Sequence, residues 1–502
     1  MKIFSVSQMK AWDAYTIQNE PVASIDLMQR AAESCFNWIQ NEFDKANTFI
    51  IFCSTGNNGG DGLAIAKLLI ENGYPVSVYI IKNNSNGSED FEINLERLRK
   101  SFNSVYFLDE NSSFPDLKNK IVIDALFGTG LNKNPSGVFS KIINYINQNS
   151  ETVVSIDIPS GLYVDKSSVL SNSETIVKAT YTLTFQNQKL AFLMPENDNY
   201  VGKIILLNIG LSNEFEEKED AQFIFTDEKL IKKIYRERSA FSNKGNFGYA
   251  CMLAGSYGMM GAAVLSSKAC LRSGVGKLTC FTCKTGYDII QASVPEAMCK
   301  TFGNKFVKDV RDFEDFDVIG IGPGIGKHFS HKELLQNLFS NFKKPLVIDA
   351  DALNVLSENT PLYKSIPKGS ILTPHPKEFQ RLFGKTNSDF ERINLALSKA
   401  KELDIYIILK GHFTFIATPE EKGFFNSTGN AGMATAGAGD VLTGIITGLL
   451  AQNYSSLDAC ILAVYLHGLA GDIAAEKLSE EALIAGDITE NLGAAFKQIK
   501  TK

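Results

Sequence analysis

The chain has no surplus of basic charge. Its 50 lysines and arginines face 56 aspartates and glutamates, a formal net charge of −6, and no basic patch stands out. Nucleic acid is therefore not an expected partner, although loop amides can hold phosphates without bulk charge. The first residues, M-K-I-F-S-V-S-Q-M-K-A-W-D, lack an apolar core and a cleavage site, so no signal peptide is expected. No uncharged apolar run reaches membrane-spanning length, and no membrane partner is expected either. Paired cysteines are scarce too. Of eight, mostly scattered through apolar stretches, only Cys280 and Cys283 form a C-x-x-C, with no second pair nearby. A zinc site needs more ligands than that. Reduced core thiols in a cytoplasmic protein are the expectation.

What is present is size and alternation. With 502 residues, 44% of them hydrophobic, the chain can build two or three globular cores. Strand-like runs at Phe49–Cys53, Val76–Ile81, Ile121–Ala125, 153–156, Tyr181–Phe185 and 204–209 alternate with helix-like segments such as 63–71 and 91–101. A second series begins near Phe247, with strands at Tyr249–Leu253, 278–281, Val318–Ile321, Leu346–Ile348 and Tyr406–Leu409. Such alternation predicts α/β layers around largely parallel sheets. Between the series lies the acidic run S-N-E-F-E-E-K-E-D at 212–220, which reads as a solvated linker. The domains are placed at 1–211 and 231–502, with the linker at 212–230. An Asn/Ser turn is expected at 83–88. Apolar helices such as 461–475 suit an interface as well as a core, and a homo-oligomer is expected.

Three strand ends of the first series carry polar residues. Phe49–Cys53 runs into S-T-G-N-N-G-G-D-G, Ile121–Ala125 carries Asp124 and continues L-F-G-T-G-L-N-K-N, and 153–156 continues D-I-P-S-G-L with Asp157 and Ser160. The first of these loops is neither a G-x-G-x-x-G nor a Walker A loop. Carboxyl ends of parallel strands converge on the ligand crevice. Asn58, Asp124, Asp157 and Ser160 there would supply hard oxygen ligands and a proton carrier. Each aspartate alone would equally serve to cap a turn.

In the second series the sharpest segment is N-A-G-M-A-T-A-G-A-G-D-V-L-T-G at 430–444. Its Gly437, Ala438 and Gly439 bare the backbone, and Asp440 stands where an apolar helix begins. Free amides at a helix start form an anion hole. A carboxylate beside it can take a proton from a hydroxyl as a phosphoryl group arrives. Asp is equally a common helix N-cap. Gly322, Gly324 and Gly326 allow close backbone approach to a ligand. His375 lies between two prolines in T-P-H-P-K-E, and Lys410 ends a strand before Gly411 and Thr414. Asp349 and Asp351 suit turn capping as well as orienting a ligand, and His328, His331 and His467 have no comparable setting.

Residues 1 to about 211 resemble the NAD(P)H-hydrate epimerase domain, through N-N-G-G-D-G, D-A-L-F-G-T-G, I-D-I-P-S-G-L and F-Q-N-Q-K ending at Lys189. The resemblance implies a Rossmann-like three-layer fold that interconverts the R and S hydrates of NADH and NADPH. It makes Asn57, Asn58, Gly59, Gly60, Asp61, Gly128, Thr129, Gly130, Leu131, Asn132, Lys133 and Asn134 substrate-binding. It makes Asn58, Asp124 and Ser160 potassium ligands and Asp157 the acid/base residue, which also contacts substrate. Residues from about 225 to 500 resemble the ribokinase-like NAD(P)H-hydrate dehydratase domain, through K-G-x-x-G, A-G-S, D-A-D-A-L-N, T-P-H-P-x-E, K-G-x-x-T and N-x-G-M-A-T. This implies that Ala262, Gly324, His375 and Asp440 meet the hydrated nicotinamide. Lys410, Gly411, His412, Phe413, Thr414 and Gly439 would hold ADP or ATP, with Mg²⁺ on its phosphates, and Asp440 would be catalytic. The family commonly has Thr at Ala438 and Gly at Ala436, both small changes that leave the amides in place.

Together the two resemblances imply a two-headed repair enzyme. A ribokinase-like small-molecule kinase with an accessory nucleotide-binding domain, and a first domain that only senses nucleotides or binds protein, are the alternatives. A kinase would accumulate a phosphorylated product; a repair enzyme would release phosphate and restore reduced cofactor.

Overall fold

The computed structural model describes residues 1–20, 22–82, 87–100 and 102–500. Residues 83–86 of the turn expected at 83–88, and Ser101 at the end of the expected 91–101 helix, lie outside them. The chain divides into two compact units: residues 2–223 with 387–390, and residue 1 with 224–386 and 391–502.

In the first unit the strands are β1 (Phe49–Cys53), β2 (Val76–Ile81), β3 (Val105–Leu108), β4 (Ile121–Ala125), β5 (Thr152–Ile156), β6 (Tyr181–Phe185) and β7 (Lys203–Leu207). They form a parallel sheet in the order β3-β2-β1-β4-β5-β6-β7. The order reverses between β1 and β4, and ligands of such sheets bind outside the carboxyl ends of the strands at that switch. Helices α1 (Val6–Asn19), α2 (Ser24–Glu42), α3 (Asn57–Glu71), α4 (Glu89–Arg99) and α5 (Val138–Asn149) cover it. Alternation along β1 decides the layers. Phe49, Ile51 and Cys53 pack in the cluster that includes Ala32 and Cys35 of α2, Leu63 and Ala66 of α3 and Phe91 of α4. Ile50 and Phe52 face Ile142, Ile143 and Ile146 of α5. The result is three layers, as the resemblance implies.

Two glycines of N-N-G-G-D-G serve packing. A Cβ on Gly59 would lie 1.8 Å from the Ser54 carbonyl oxygen, and one on Gly62 would lie 2.6 Å from Ala125 Cβ and 2.8 Å from Cys53 Sγ. Helix α3 can therefore lie directly on β1 and β4 only with these side chains absent.

The run expected as a solvated linker is structured. Asn213–Lys218 is a short helix, and its Phe215 stacks on Trp12 (ring centroids 6.0 Å apart, 17° between planes) in a cluster with Phe4 and Leu27. One aromatic in the acidic run, Phe215, supplies a half-buried contact that net charge does not reveal. Further along, Glu228–Ile234 is a helix that buries Ile231 in the second unit.

The second unit contains β8 (Tyr249–Leu253), β9 (Lys277–Thr282), β10 (Met298–Thr301), β11 (Val318–Ile321), β12 (Leu346–Ile348), β13 (Ile371–Leu372), β14 (Tyr406–Leu409), β15 (Phe415–Ala417) and β16 (Gly423–Phe425). Over these residues the order is β16-β15-β14-β13-β12-β11-β8-β9-β10. Strands β8 to β14 pair in parallel, and β15 and β16 follow as antiparallel hairpins. The reversal here lies between β8 and β11. Helices α6 (Met260–Arg272), α7 (Ala350–Ser357), α8 (Pro376–Phe383), α9 (Ala438–Ala451) and α10 (Ser456–Leu478) position the residues discussed below. Gly444 and Gly448 of α9 sit against α6, where a Cβ would come within 2.2 Å of Ser266 O and 2.7 Å of Cys270 O. Helix α10 is long and apolar enough to span a membrane, yet 72% of its most apolar window is buried in the unit. The apolar stretch at 461–475 is thus core. All eight cysteines are free, and Cys280 and Cys283 are buried.

Replacing Gly62 by Ala should overpack the α3–sheet contact and cost about 1–3 kcal/mol. Both tryptophans, Trp12 and Trp38, lie in the first unit, so tryptophan fluorescence during urea unfolding measures this loss. An unchanged midpoint would mean that α3 lifts from the sheet without penalty.

Candidate active sites

Asp157 follows β5 with φ +68°, a conformation that costs a non-glycine residue on the order of 1–3 kcal/mol unless its surroundings enforce it. Here the Asp157 N–H donates to Leu183 O at 2.7 Å, which ties the turn to β6. The side chain then takes two partners. Oδ2 accepts from Thr129 N at 3.1 Å, and Oδ1 pairs with Lys189 Nζ at 2.9 Å. Lys189 is only 1% exposed and also donates to Thr184 Oγ1. A buried ammonium persists because it is paired and hydrogen-bonded.

Behind this pair, Asp124 is fully buried. Oδ1 accepts from Ser160 Oγ (2.6 Å) and Leu126 N (3.3 Å), Oδ2 from Ser155 Oγ (2.8 Å) and Ser160 N (2.9 Å). Burial pushes the Asp124 carboxyl up, and these hydrogen bonds pull it back. Asn58 is buried too, and neither polar atom of its amide has a partner. A buried carboxylate with no ion pair, and a buried amide with no hydrogen bond, among the described residues are costly for a protein alone. They fit a hard cation held by oxygens.

A cavity of about 750 Å³ opens here, lined by Asn57, Asn58, Asp61, Gly128, Thr129, Gly130, Leu131, Asn132, Asp157 and Lys189, with Asp13 from α1. Burial lifts the Asp61 carboxyl well above its usual range, and Asp157, Asp13 and Asp90 add to the effect. Burial and then Asp157 lift Asp13 to about 6, against the pull of Lys189. Six expected residues stand apart from the cavity wall, the buried Asp124 among them. Gly59 and Gly60 face Ser54 and Met28, Asn134 Oδ1 accepts from Tyr163 OH at 2.6 Å, Lys133 is exposed, and Ser160 sits behind the wall on Asp124.

At the switch of the second sheet, the loops after β8 and β11 bond each other. Gly255 N donates to Pro323 O at 2.8 Å, and Ser256 Oγ to Gly324 O at 2.9 Å. A Cβ on Gly324 (φ +58°) would lie 2.9 Å from Ala262 Cβ, so these two expected neighbours do meet. Asp351 Oδ2 accepts from Gly326 N at 2.8 Å and holds the glycine loop.

Asp349 ends β12, 1% exposed. Although it occupies the N-cap position of α7, its side chain makes no cap bond. Instead Oδ1 pairs with Lys410 Nζ at 2.9 Å and Oδ2 accepts from Thr443 Oγ1 at 2.8 Å. Thr443 lies three residues after Asp440 on α9, so this bond sets the rotation of the helix that carries Asp440. Gly437 enters α9 with φ +91°, and the Gly439 and Asp440 amides have no acceptor among the described residues. A Cβ on Gly439 would lie 3.3 Å from Lys410 Nζ. Free amides, a bare backbone and an ammonium thus meet at one point, which is what a polyphosphate requires. Burial, then Asp349, raise the Asp440 carboxyl to about 7; Lys410 opposes this and Asp351 adds to it.

Three histidine and loop placements differ in character from the expectation. The His375 ring is the N-cap of α8: Nδ1 accepts from Lys377 N (3.1 Å) and Glu378 N (3.4 Å), while Glu378 accepts from His375 N (2.9 Å). Burial, and next the Lys410 charge, hold the ring below its usual titration range. Thr414 Oγ1 closes the Gly411 turn, donating to Gly411 O at 2.9 Å, and the His412 and Phe413 rings pack edge to face. His467, without a special setting in the sequence, is half-buried, and its Nε2 donates to Ala438 O at 2.9 Å, in the first turn of α9 just before Asp440. Burial lowers it to about 4, so the ring is neutral and serves as a donor.

Residues 250–492 match the NAD(P)H-hydrate dehydratase family, and residues 24–191 match the family described as YjeF-related protein N-terminus. The bifunctional NAD(P)H-hydrate repair enzyme of Moorella thermoacetica is 31% identical over all of this chain and 97% of its own length. The chain belongs to the bifunctional NAD(P)H-hydrate repair enzyme family. The Escherichia coli member is 30% identical over 93% of this chain and 88% of its own. Among solved structures, the ADP/ATP-dependent NAD(P)H-hydrate dehydratase of Bacillus subtilis, co-crystallised with ATP and Mg²⁺, is 32% identical. It covers 55% of this chain and 99% of its own, with a TM-score of 0.50. Within this family framework the second unit is ribokinase-like.

Lys410 is the one ammonium that pairs with Asp349. Lys410→Met should leave a buried carboxylate uncompensated and cost about 3–5 kcal/mol. Adding Asp349→Leu should recover most of the loss. Urea unfolding of the two variants decides: equal stability of Lys410→Met and wild type would show that Thr443 alone satisfies Asp349.

Proposed function

We propose that the first unit epimerises the R and S hydrates of NADH and NADPH at Asp157, and that the second dehydrates the S-hydrate at Asp440, with ADP or ATP as phosphoryl donor. The enzyme is thus an isomerase and a lyase in one chain, and both hydrates are recovered. The observation that carries the dehydratase reading is the meeting of the Asp440 carboxyl with the acceptor-free amides of Gly439 and Asp440 and with Lys410.

In this reading Asp440 accepts the proton of the C6 hydroxyl, and that oxygen attacks the terminal phosphorus of the nucleotide as its bond to AMP (from ADP) or ADP (from ATP) breaks. The amides around Ala438–Asp440 stabilise the charge that builds up. Phosphate then leaves C6, driven by the lone pair of the ring nitrogen, and loss of a proton from C5 to water restores the reduced nicotinamide. Among the described residues no group of three or more metal-binding side chains occurs, and Asp349 and Asp351 are already engaged. Mg²⁺ therefore comes in as part of the nucleotide complex, neutralising its phosphates. Lys410 and Gly439 hold that nucleotide, with Gly411, His412, Phe413 and Thr414 beside it, and Ala262, Gly324 and His375 border the nicotinamide.

For the first unit we assign K⁺ to Asn58, Asp124 and Ser160, supported by the unpartnered buried Asn58 amide and by the buried Asp124 carboxylate that Ser160 bonds. When bound, the cation would supply positive charge against an incoming hydrate. Asp157, oriented by Thr129 N and Lys189, moves the proton of the hydroxyl. A cytoplasmic setting belongs to the same proposal, supported by eight free cysteines.

Racemic hydrated NADH supplied with ADP or ATP should yield free phosphate and full recovery of the nicotinamide absorbance. A stable phosphorylated product would instead mark a kinase. Asp157→Ala should stop recovery at the S half, and R-hydrate consumption at the wild-type rate would refute the epimerase assignment.

Asp440 works as a base only when ionised, so dehydration should rise with pH through about 7 and fall below it. The stability effect has the opposite sense. A carboxyl raised in the fold is charged there only at a cost, which is fully present above about pH 7 and vanishes toward the pH of an ordinary carboxyl. Asp440→Asn should therefore abolish dehydration yet raise the Tm at pH 8, with little difference at pH 4. A Tm lowered at pH 8 would contradict the burial argument.

A further inference from the structure

The epimerase cavity holds an aspartate that no motif selected. Helix α1 is clamped on its inner side by Trp12, whose Nε1 donates to Ser212 O at 2.8 Å, and by Thr16, whose Oγ1 accepts from Ser212 N at 3.0 Å. That clamp turns the next residue, Asp13, along the cavity wall with Asp157 and Lys189. Asp157 is already bound by Lys189 and Thr129 N, whereas Asp13 has no hydrogen bond or ion pair to a described residue. Resting on the epimerase reading of this cavity, we propose that Asp13 is the second proton carrier of the reaction: it protonates the ring nitrogen while Asp157 removes the proton of the C6 hydroxyl.

The chemistry requires such a pair. In the hydrate, C6 bears a hydroxyl and is bonded to N1. Asp157 takes the hydroxyl proton, the oxygen electrons form the C6 carbonyl, and the C6–N1 pair moves to nitrogen. Nitrogen conjugated with the carboxamide is a poor leaving group unless a proton arrives, and Asp13 delivers it. Rotation about C5–C6 presents the other face of the carbonyl. N1 then re-forms the bond, Asp13 recovers its proton, and Asp157 returns the other to oxygen. No proton or electron is gained or lost overall.

The charges around Asp13 suit the role. It faces Asp157 from the turn after β5, Lys189 from beyond β6, Asp61 from α3 and Asp90 from α4, with Lys10 on its own helix. Asp61 is the rival for giving up a proton, its carboxyl lifted well above the usual range by burial and by Asp157, Asp13 and Asp90. Asp13, near 6, both gives and takes one.

The test uses the full-length enzyme and purified R-hydrate of NADH, with R and S separated by chromatography. Asp13→Asn should lower kcat for R-to-S conversion by about 100-fold or more and remove the alkaline limb of its pH profile. Fluorescence of Trp12 and Trp38 establishes that the first unit is folded in each variant. Conversion by folded Asp13→Asn at a rate comparable to wild type would overturn the assignment. So would an alkaline limb that survives in Asp13→Asn and disappears in Asp61→Asn. Failure of the wild-type enzyme itself to convert the R-hydrate would overturn the epimerase reading, and the role of Asp13 with it.

Discussion

The ion pair of Lys189 with Asp157 has a counterpart in that of Lys410 with Asp349. In each unit a nearly buried ammonium sits near the carboxyl ends of a parallel sheet, and in each it meets more carboxyls than it can neutralise. Lys189 lines a cavity that also holds Asp13 and Asp61; Lys410 lies close to Asp440 and Glu378 as well as to Asp349. A carboxyl left without the ammonium, in a site that excludes water, is disfavoured as an anion by burial and by its charged neighbours. The excess therefore becomes proton-transfer capacity near neutrality. That is the property both reactions need, and a plain surplus of lysine would destroy it.

Local motifs made half of this legible. A strand, a small-residue turn and a helix are contiguous in sequence, so N-N-G-G-D-G and A-G-A-G-D declare themselves together with Asp61 and Asp440. Contacts between distant segments do not. Asp13 precedes Ser212 by most of a domain, and the hydrogen bonds of Trp12 and Thr16 to Ser212 bring α1 to the cavity. Lys189 stood in a recognisable F-Q-N-Q-K, yet nothing in its neighbours names Asp157 as its partner. His467 reaches Ala438 from α10, a helix whose sequence reads only as apolar.

Other signals were present but outweighed. T-P-H-P-K-E contains proline at the first helical position and glutamate three residues after histidine, the spacing of a capping box. His375 indeed caps α8 through Nδ1, and its Nε2 lies 3.3 Å from Glu378 Oε1. The acidic run at 212–220 contained Phe215, and one aromatic among like charges sufficed to fold it onto Trp12. The glycines divide similarly. Gly59 and Gly62 let α3 touch the sheet, whereas Gly439 leaves the Lys410 ammonium uncovered. A glycine in a phosphate-like loop is thus no evidence for phosphate until the atom its Cβ would strike is known.

The two cavities also differ as their chemistries do. Phosphoryl transfer builds negative charge, and the second site answers it with free helix amides and an ammonium. Epimerisation only exchanges protons, and the first site offers carboxyls instead. A hydrated dinucleotide carries a negatively charged diphosphate, which three ionised aspartates would repel. Burial eases that conflict at Asp61, whose carboxyl is lifted well above its usual range, while Asp13, lifted to about 6, keeps both of its forms near neutrality. Admission of the substrate and retention of a proton to donate therefore follow from the same desolvation. A substitution that opened the cavity to water would weaken both together.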